Sequence, residues 1–250
     1  MGLFPRPLVI ITPFTSSISG GYIEGNHDVS RVSKARALED ETFALKVGAR
    51  LVRFGLPEAT LSSKTGENFV PLVAAASLLC GWPRPRSRIE RGLFLFGSRT
   101  PNGVSSPLLR KLARLDPTSM FLRKQMSAIL KTSPGAVVVS PIGIGNHPNH
   151  IALAWASRIL RHRISRLYFY EDLPYAARCS RSQIERHCAL FDRSLRPVAV
   201  NIERVIESKV TNLSIYRSQV GPPEVEKVVA FARRLSSGRS YHERLWTYPG

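Results

Sequence analysis

The chain has 250 residues, enough for one well-buried domain, and 43% of them are hydrophobic, as in an ordinary soluble protein, but the net charge is +18. The longest apolar run, Val70–Trp82, is too short for a membrane span and contains a proline, and the first residues lack the ordered regions of a signal peptide. Cys80, Cys179 and Cys188 are odd in number and lack C-x-x-C spacing, which argues against a disulfide framework or a cysteine zinc site and favours a cytoplasmic setting.

Leu8–Thr12 is a continuous apolar run that predicts a strand covered on both faces. Val32–Val47 carries Ala37, Phe43, Ala44 and Val47 near helical spacing, Gly48 reads as the helix stop, and Ala49–Pro57 reads as a strand. This strand–helix–strand order favours a parallel sheet. A short apolar helix is expected at Pro71–Cys80, followed by a proline- and arginine-rich loop, and further helices at Pro107–Leu115 and Ser119–Leu130. Ala136–Ser140 is a second buried-type strand, and Ile151–Leu160 resumes a helical pattern. Arg166–Tyr170 is another strand, Arg181–Leu190 a helix, and Val198–Asn201 extended. Arg204–Ser218 and Pro223–Leu235 read as helices. With no internal repeat and no linker, the expectation is a single domain over 1–250.

Three stretches carry candidate chemistry. Val9–Gly21 (VIITPFTSSISGG) is a strand running into a proline, hydroxyl residues and two glycines, at a position where α/β enzymes often place their sites. Phe14, Thr15, Ser16 and Ser17 nevertheless supply no carboxylate, imidazole or thiol. The second is His147-Pro148-Asn149-His150, between a strand and a helix, preceded by Gly143 and Gly145, which permit close backbone approach to a ligand. Its imidazoles suit a metal ligand and a proton-transfer group; the alternative is a plain helix N-terminus capped by Asn149. Third, Glu171-Asp172 ends a strand, so two carboxylates can share a sheet edge with the histidines or simply form a turn. His27-Asp28 reads either as a ligand pair or as a solvated loop.

The runs VVVSPIGIGNHPNHIALAWAS, LYFYEDLPYAAR, KVTNLSIYRSQV and YHERLW, with RALEDETFALKVGARLVRFGLPEA before them, resemble the PIG-L/LmbE-like deacetylases. The resemblance spans roughly two thirds of the chain, with its motifs in order. It implies a Rossmann-like α/β fold, a mostly parallel sheet flanked by helices, with the site at the carboxyl ends of the strands. It also implies zinc-dependent removal of acyl groups from N-acetylglucosamine-type amines. The family's P-H-x-D-D motif supplies a zinc-binding His, a general-base Asp and a zinc-binding Asp. Its H-x-D-H motif supplies an assisting His and the third zinc ligand.

Carried over, His147 matches the assisting group, His150 the third ligand, and Asn149 stands where the family has Asp. The first motif departs. Pro13 matches, but Phe14 and Ser17 occupy zinc-ligand positions and Ser16 the general-base position. Phenylalanine cannot ligate, and a neutral serine hydroxyl is a poor zinc ligand and no base at neutral pH. Between Gly21 and Ala35 the chain is also shorter than the family's helix and second strand require, so the sheet is expected to lack or replace an element there.

Three readings follow. The first is a deacetylase-fold protein with lost or altered zinc hydrolysis and no cofactor. It would keep a pocket for an N-acylated amino-sugar-type ligand, lined by Asn149, Glu171, Asp172, Arg178, Ser218 and Gln219. For the Lys209 and Tyr216–Gln219 segment, and for Tyr241, Glu243 and Trp246, the alternative is helix capping and packing. The second reading is an active metal-dependent amidohydrolase with rewired zinc ligands, His27 and Asp28 beside His150. The third is a nucleic-acid or anionic-surface binder using the arginines of Arg84–Arg91, Ile159–Arg166 and Arg178–Arg186, although no nucleic-acid module accompanies them.

Overall fold

The computed structural model describes residues 7–17, 22, 28–58, 117–145 and 147–249. Gly20–Gly21, His27, Cys80, Val70–Trp82, Arg84–Arg91 and the helices expected at Pro71–Cys80 and Pro107–Leu115 lie outside the described residues. The chain divides into two compact units, Met1–Lys64 with Ala199–Glu243 and Thr65–Val198 with Arg244–Gly250.

In the first unit, strand β1 (Leu8–Ser16), helix α1 (Val29–Val47) and strand β2 (Ala49–Pro57) form a complete crossover. The strands are parallel, with Leu8 opposite Ala49 and Ile10 opposite Leu51. Asp28 caps α1, its carboxylate accepting from the Arg31 N–H at 3.1 Å, and Gly48 ends it with φ of 65°. The expected end of β1 at Thr12 is corrected: the strand continues through Pro13 and Phe14 to Ser16. Its register breaks between Thr12 and Phe14 and again between Phe14 and Ser16. Pro13 has no N–H to give a ladder, so it fits at such an irregularity, where sequence pattern alone reads a turn.

The first unit is completed by two more helices, numbered in chain order α5 (Ile206–Leu213) and α6 (Pro222–Arg234), the latter burying Val228, Phe231 and Ala232. The helix expected over Arg204–Ser218 is also corrected. A short 3-10 turn, Glu203–Val205, precedes α5, which stops at Leu213. Tertiary bonds decide this. Ser218 gives its backbone N–H and its hydroxyl to the two oxygens of Glu39 on α1, at 2.7 and 2.6 Å. Tyr216 stacks at a tilt on Phe43, ring centres 5.7 Å apart. Asp40, beside them, has its carboxyl pushed up by burial, which outweighs hydrogen bonds from Thr12 and Tyr216 and the charge of Arg53.

The second unit holds α2 (Pro117–Lys131), β3 (Val137–Pro141), α3 (Pro148–Ile159), β4 (Arg166–Tyr170) and α4 (Arg181–Phe191). Strands β5 (Arg196–Asn201) and β6 (His242–Thr247) complete a four-stranded sheet of order β3-β4-β6-β5. β3 and β4 are parallel, with Val137 opposite Arg166, and β6 runs antiparallel to β4, Trp246 opposite Phe169. β6 was not foreseen, because HERLWT mixes charged and apolar residues. The core gathers Leu122 and Met126 of α2, Ala152, Trp155 and Ala156 of α3, Phe169 of β4, and Ile184 and Cys188 of α4. Phe191 bridges Trp155 and Phe169 at ring distances of 5.0 and 5.3 Å. A fully buried ring such as Phe169 contributes on the order of 1.5–3 kcal/mol. The expected α/β class, with parallel strands and flanking helices, is what the structure has. No helix among the described residues is long and apolar enough to cross a membrane.

Candidate functional site

The two motifs fall in different units. In the second unit, the chain leaves β3 through a turn with Gly143 and Gly145 at φ of 85° and 89° and enters α3. The helix begins three residues before the expected start, so His147 is its N-cap and Asn149 and His150 lie in its first turn. The expectation of Asn149 as the cap is corrected; Asn149 is buried. The glycines also serve a purpose other than the one expected. A Cβ on Gly145 would stand 2.6 Å from the Tyr175 ring, and one on Gly143 would stand 3.1 Å from Ile151. What approaches them is the protein's own side chains.

His150 is held from below. Its Nδ1 lies 2.6 Å from Asp172 Oδ1, and the Asp172 side chain is fully buried while that of His150 is 33% exposed. The other oxygen of Asp172 accepts the backbone N–H groups of Gly143 and Ile144 at 2.8 and 2.9 Å. The His147 and His150 rings are 5.0 Å apart, and Tyr175 meets His150 edge-on at 6.4 Å. The sheet-edge carboxylate and the imidazole are thus one assembly.

Glu171 turns elsewhere. One of its oxygens accepts from Arg244 Nε at 2.5 Å and Trp246 Nε1 at 2.8 Å, which fastens β6 to the end of β4. It is 5% exposed, so its surroundings suit anchoring rather than contact with a ligand. Arg178, at the end of a short 3-10 turn, is exposed. The Cys188 thiol is pushed well up by burial and then by the nearby Glu171, and so stays an inert core group.

In the first unit, Phe14 is half-buried within β1, opposite Leu56. Ser16 ends the strand opposite Pro57, its carbonyl accepting the Glu58 N–H at 2.9 Å. Ser17 is 1% exposed; its hydroxyl donates to Glu58 Oε2 at 2.5 Å, and its N–H donates to the Ser33 hydroxyl at 3.1 Å. Glu58 is in turn ion-paired with Arg36. Ser218 is likewise buried on Glu39, and Gln219 beside it is exposed. Asp28 spends its carboxylate as the cap of α1.

These residues do not fit a zinc ion. Of the positions that the resemblance assigns to the metal, Phe14 has no donor atom, Ser17 gives its hydroxyl to a carboxylate, and His150 alone is a ligand type. Sequence reasoning gave no role to Glu58, Tyr175 or Arg244. A carboxylate just past β2, next to the end of β1, was the available signal for Glu58. The ring behind Gly145 had none.

No protein-family model matches the chain. Over 153 residues it is 29% identical to the 2′-N-acetylparomamine deacetylase of Streptomyces fradiae, a stretch that is 60% of this chain and 52%, about half, of that relative's length. Among solved structures it is similar to the A40926 pseudoaglycone deacetylase Dbv21, with a TM-score of 0.57 and 19% identity over 97% of this chain and 86% of that one. It is similar also to the zinc-inhibited form of teicoplanin deacetylase Orf2, with a TM-score of 0.60 and 15% identity over 96% of this chain and 86% of that one. A deacetylase–teicoplanin complex superposes with the same TM-score of 0.60. The chain therefore has the fold of the PIG-L/LmbE-like deacetylases.

Proposed function

We propose that the chain is a single PIG-L/LmbE-like domain over 1–250, cytoplasmic, that has lost zinc-dependent N-deacetylation and keeps a pocket for an amino-sugar or related amine ligand. The observation that carries this reading is Ser17, which stands at the second-aspartate position, buried, with its hydroxyl committed to the Glu58–Arg36 pair. A metal-binding carboxylate there has been replaced by an internal polar network, and Phe14 takes the adjoining histidine position. A catalytic zinc needs about three protein ligands and an open water position, which this donor set does not supply. The retained His150–Asp172 pair supports a surviving ligand end. The sugar-like ligand class rests on the relative that acts on 2′-N-acetylparomamine, and fold likeness alone does not carry an activity.

Protein purified without chelator tests this reading. Metal analysis is expected to find zinc far below one equivalent, and incubation with N-acetylglucosamine to release no acetate, while calorimetry detects binding of glucosamine or paromamine. Stoichiometric zinc together with acetate release would overturn the proposal in favour of a rewired amidohydrolase.

A further inference from the structure

We infer that Asp172 is a positioning residue that holds the His150 imidazole as its Nδ1–H tautomer, presenting Nε2 as a hydrogen-bond acceptor to an O–H or N–H group of the ligand. This rests on the reading that the His150 end is part of a ligand pocket. The sequence alone made Asp172 a substrate contact; its burial makes it something else. With no exposed surface on its side chain, it cannot touch a ligand, and His150 lies above it.

A neutral imidazole carries one N–H and one lone pair, and its neighbour decides which nitrogen holds which. A carboxylate only accepts, so the nitrogen 2.6 Å from Asp172 Oδ1 is the donor. Asp172 cannot turn to offer anything else, because its second oxygen is fixed by the N–H groups of Gly143 and Ile144. That turn is itself braced, Gly143 by Ile151 and Gly145 by the Tyr175 ring. The ring of His150 sits in the first turn of α3, so its backbone is fixed as well. A carboxylate behind a histidine is the general device for setting tautomer and ring orientation, and it works with or without a metal in front.

Chemistry then selects the ligand group. A lone pair on Nε2 meets a hydroxyl or an ammonium, both hydrogen donors; phosphate and carboxylate oxygens need a donor and gain nothing from it. A hydroxylated amine such as an amino sugar has the matching groups, and the acyl oxygen of an N-acetyl group does not.

The test is ring ¹⁵N spectroscopy on the whole protein at about pH 8.5. His150 is expected to show a protonated Nδ1 and an unprotonated Nε2. In Asp172→Asn the amide oxygen can keep the two backbone bonds while its NH2 group faces Nδ1, so the tautomer is expected to reverse. Glucosamine binding is expected to weaken by about tenfold, since an acceptor has become a donor. A wild-type ring with the proton on Nε2 overturns the inference, as does a reversed tautomer with unchanged glucosamine binding. If Asp172→Asn does not fold, the wild-type tautomer and the loss of glucosamine binding in His150→Phe decide it. If wild-type protein shows the expected tautomer but does not bind glucosamine, the amino-sugar reading fails, while the positioning of His150 stands on the ring signature.

Discussion

At the scale of single residues, several described carboxylates are tied up inside the protein: Glu58 by Ser17 and Arg36, Glu39 by Ser218, and Asp172 by His150 and a backbone turn. Glu58 stands where a restored ligand would have to go. Reverting Phe14→His, Ser16→Asp and Ser17→Asp would put a second carboxylate against Glu58, within the 2.5 Å now bridged by the Ser17 hydroxyl. Two such groups resist ionising together in the empty site, and a divalent cation relieves that repulsion, so this triple variant is expected to bind zinc. Adding Glu58→Gln removes a negative charge beside the cation and leaves Arg36 without its partner, so it is expected to weaken zinc binding by about tenfold in chelator competition. Equal affinities with and without Glu58→Gln would show that Glu58 does not act on the restored site. A different carboxylate sets acid stability. Burial pushes Asp192 up, but bonds from Ser194 and Arg158 outweigh it and hold the carboxyl at about 2, below its ordinary 3.8. A depressed carboxyl contributes stability that is present above the ordinary value and is lost as pH falls towards about 2. Arg158→Ala removes a holding bond of 2.9 Å, so its acid-unfolding midpoint by circular dichroism is expected to move to higher pH.

At the scale of elements, legibility followed locality. Helix α1 and strand β2 could be read because their signals are contained in them: apolar spacing, then Gly48, then an apolar strand. The Asp28 cap and the Ser180 capping box of α4 are equally local, with Ser180 Oγ accepting from the Gln183 N–H at 3.2 Å. Ser180→Ala is expected to cost about 1 kcal/mol in urea unfolding, and restoring the hydroxyl with Thr to recover most of it. What escaped the sequence was set by distant partners. The end of α5 depends on Glu39 of α1, and β6 depends on Glu171 at the end of β4. Of the site, the histidine motif was legible from its position between a strand and a helix. The Asp172 backing was not, since nothing in EDLP distinguishes the carboxylate that turns under His150 from the one that turns to Arg244. β6 offers a direct check. Trp246→Ala opens a cavity and removes a donor from buried Glu171, so a loss of about 3–5 kcal/mol is expected in denaturant unfolding.

At the scale of the whole molecule, 36 Lys and Arg face 18 Asp and Glu. Among the described residues, Glu58, Glu41, Asp192, Glu185, Glu243, Glu224 and Glu171 all sit in ion pairs, so the basic excess has no internal counterpart of equal size. Such an excess repels itself and attracts polyanions. Two consequences separate general attraction from a dedicated anionic partner. Screening at about 0.3 M salt shortens the Debye length to roughly 6 Å, so the melting temperature is expected to rise as self-repulsion weakens. Binding to single-stranded DNA is expected to be weak and to fall along a straight line of log affinity against log salt. If the attraction is only diffuse, varied sequences and heparin give the same line, and affinity is largely gone by about 0.2 M salt. A nucleic acid that still binds tightly at that salt, and does so better than heparin, would contradict the amino-sugar reading and make the arginine surface the functional one. The two measurements share one protein sample, so a misfolded preparation would reveal itself in the melting curve before the binding data were read.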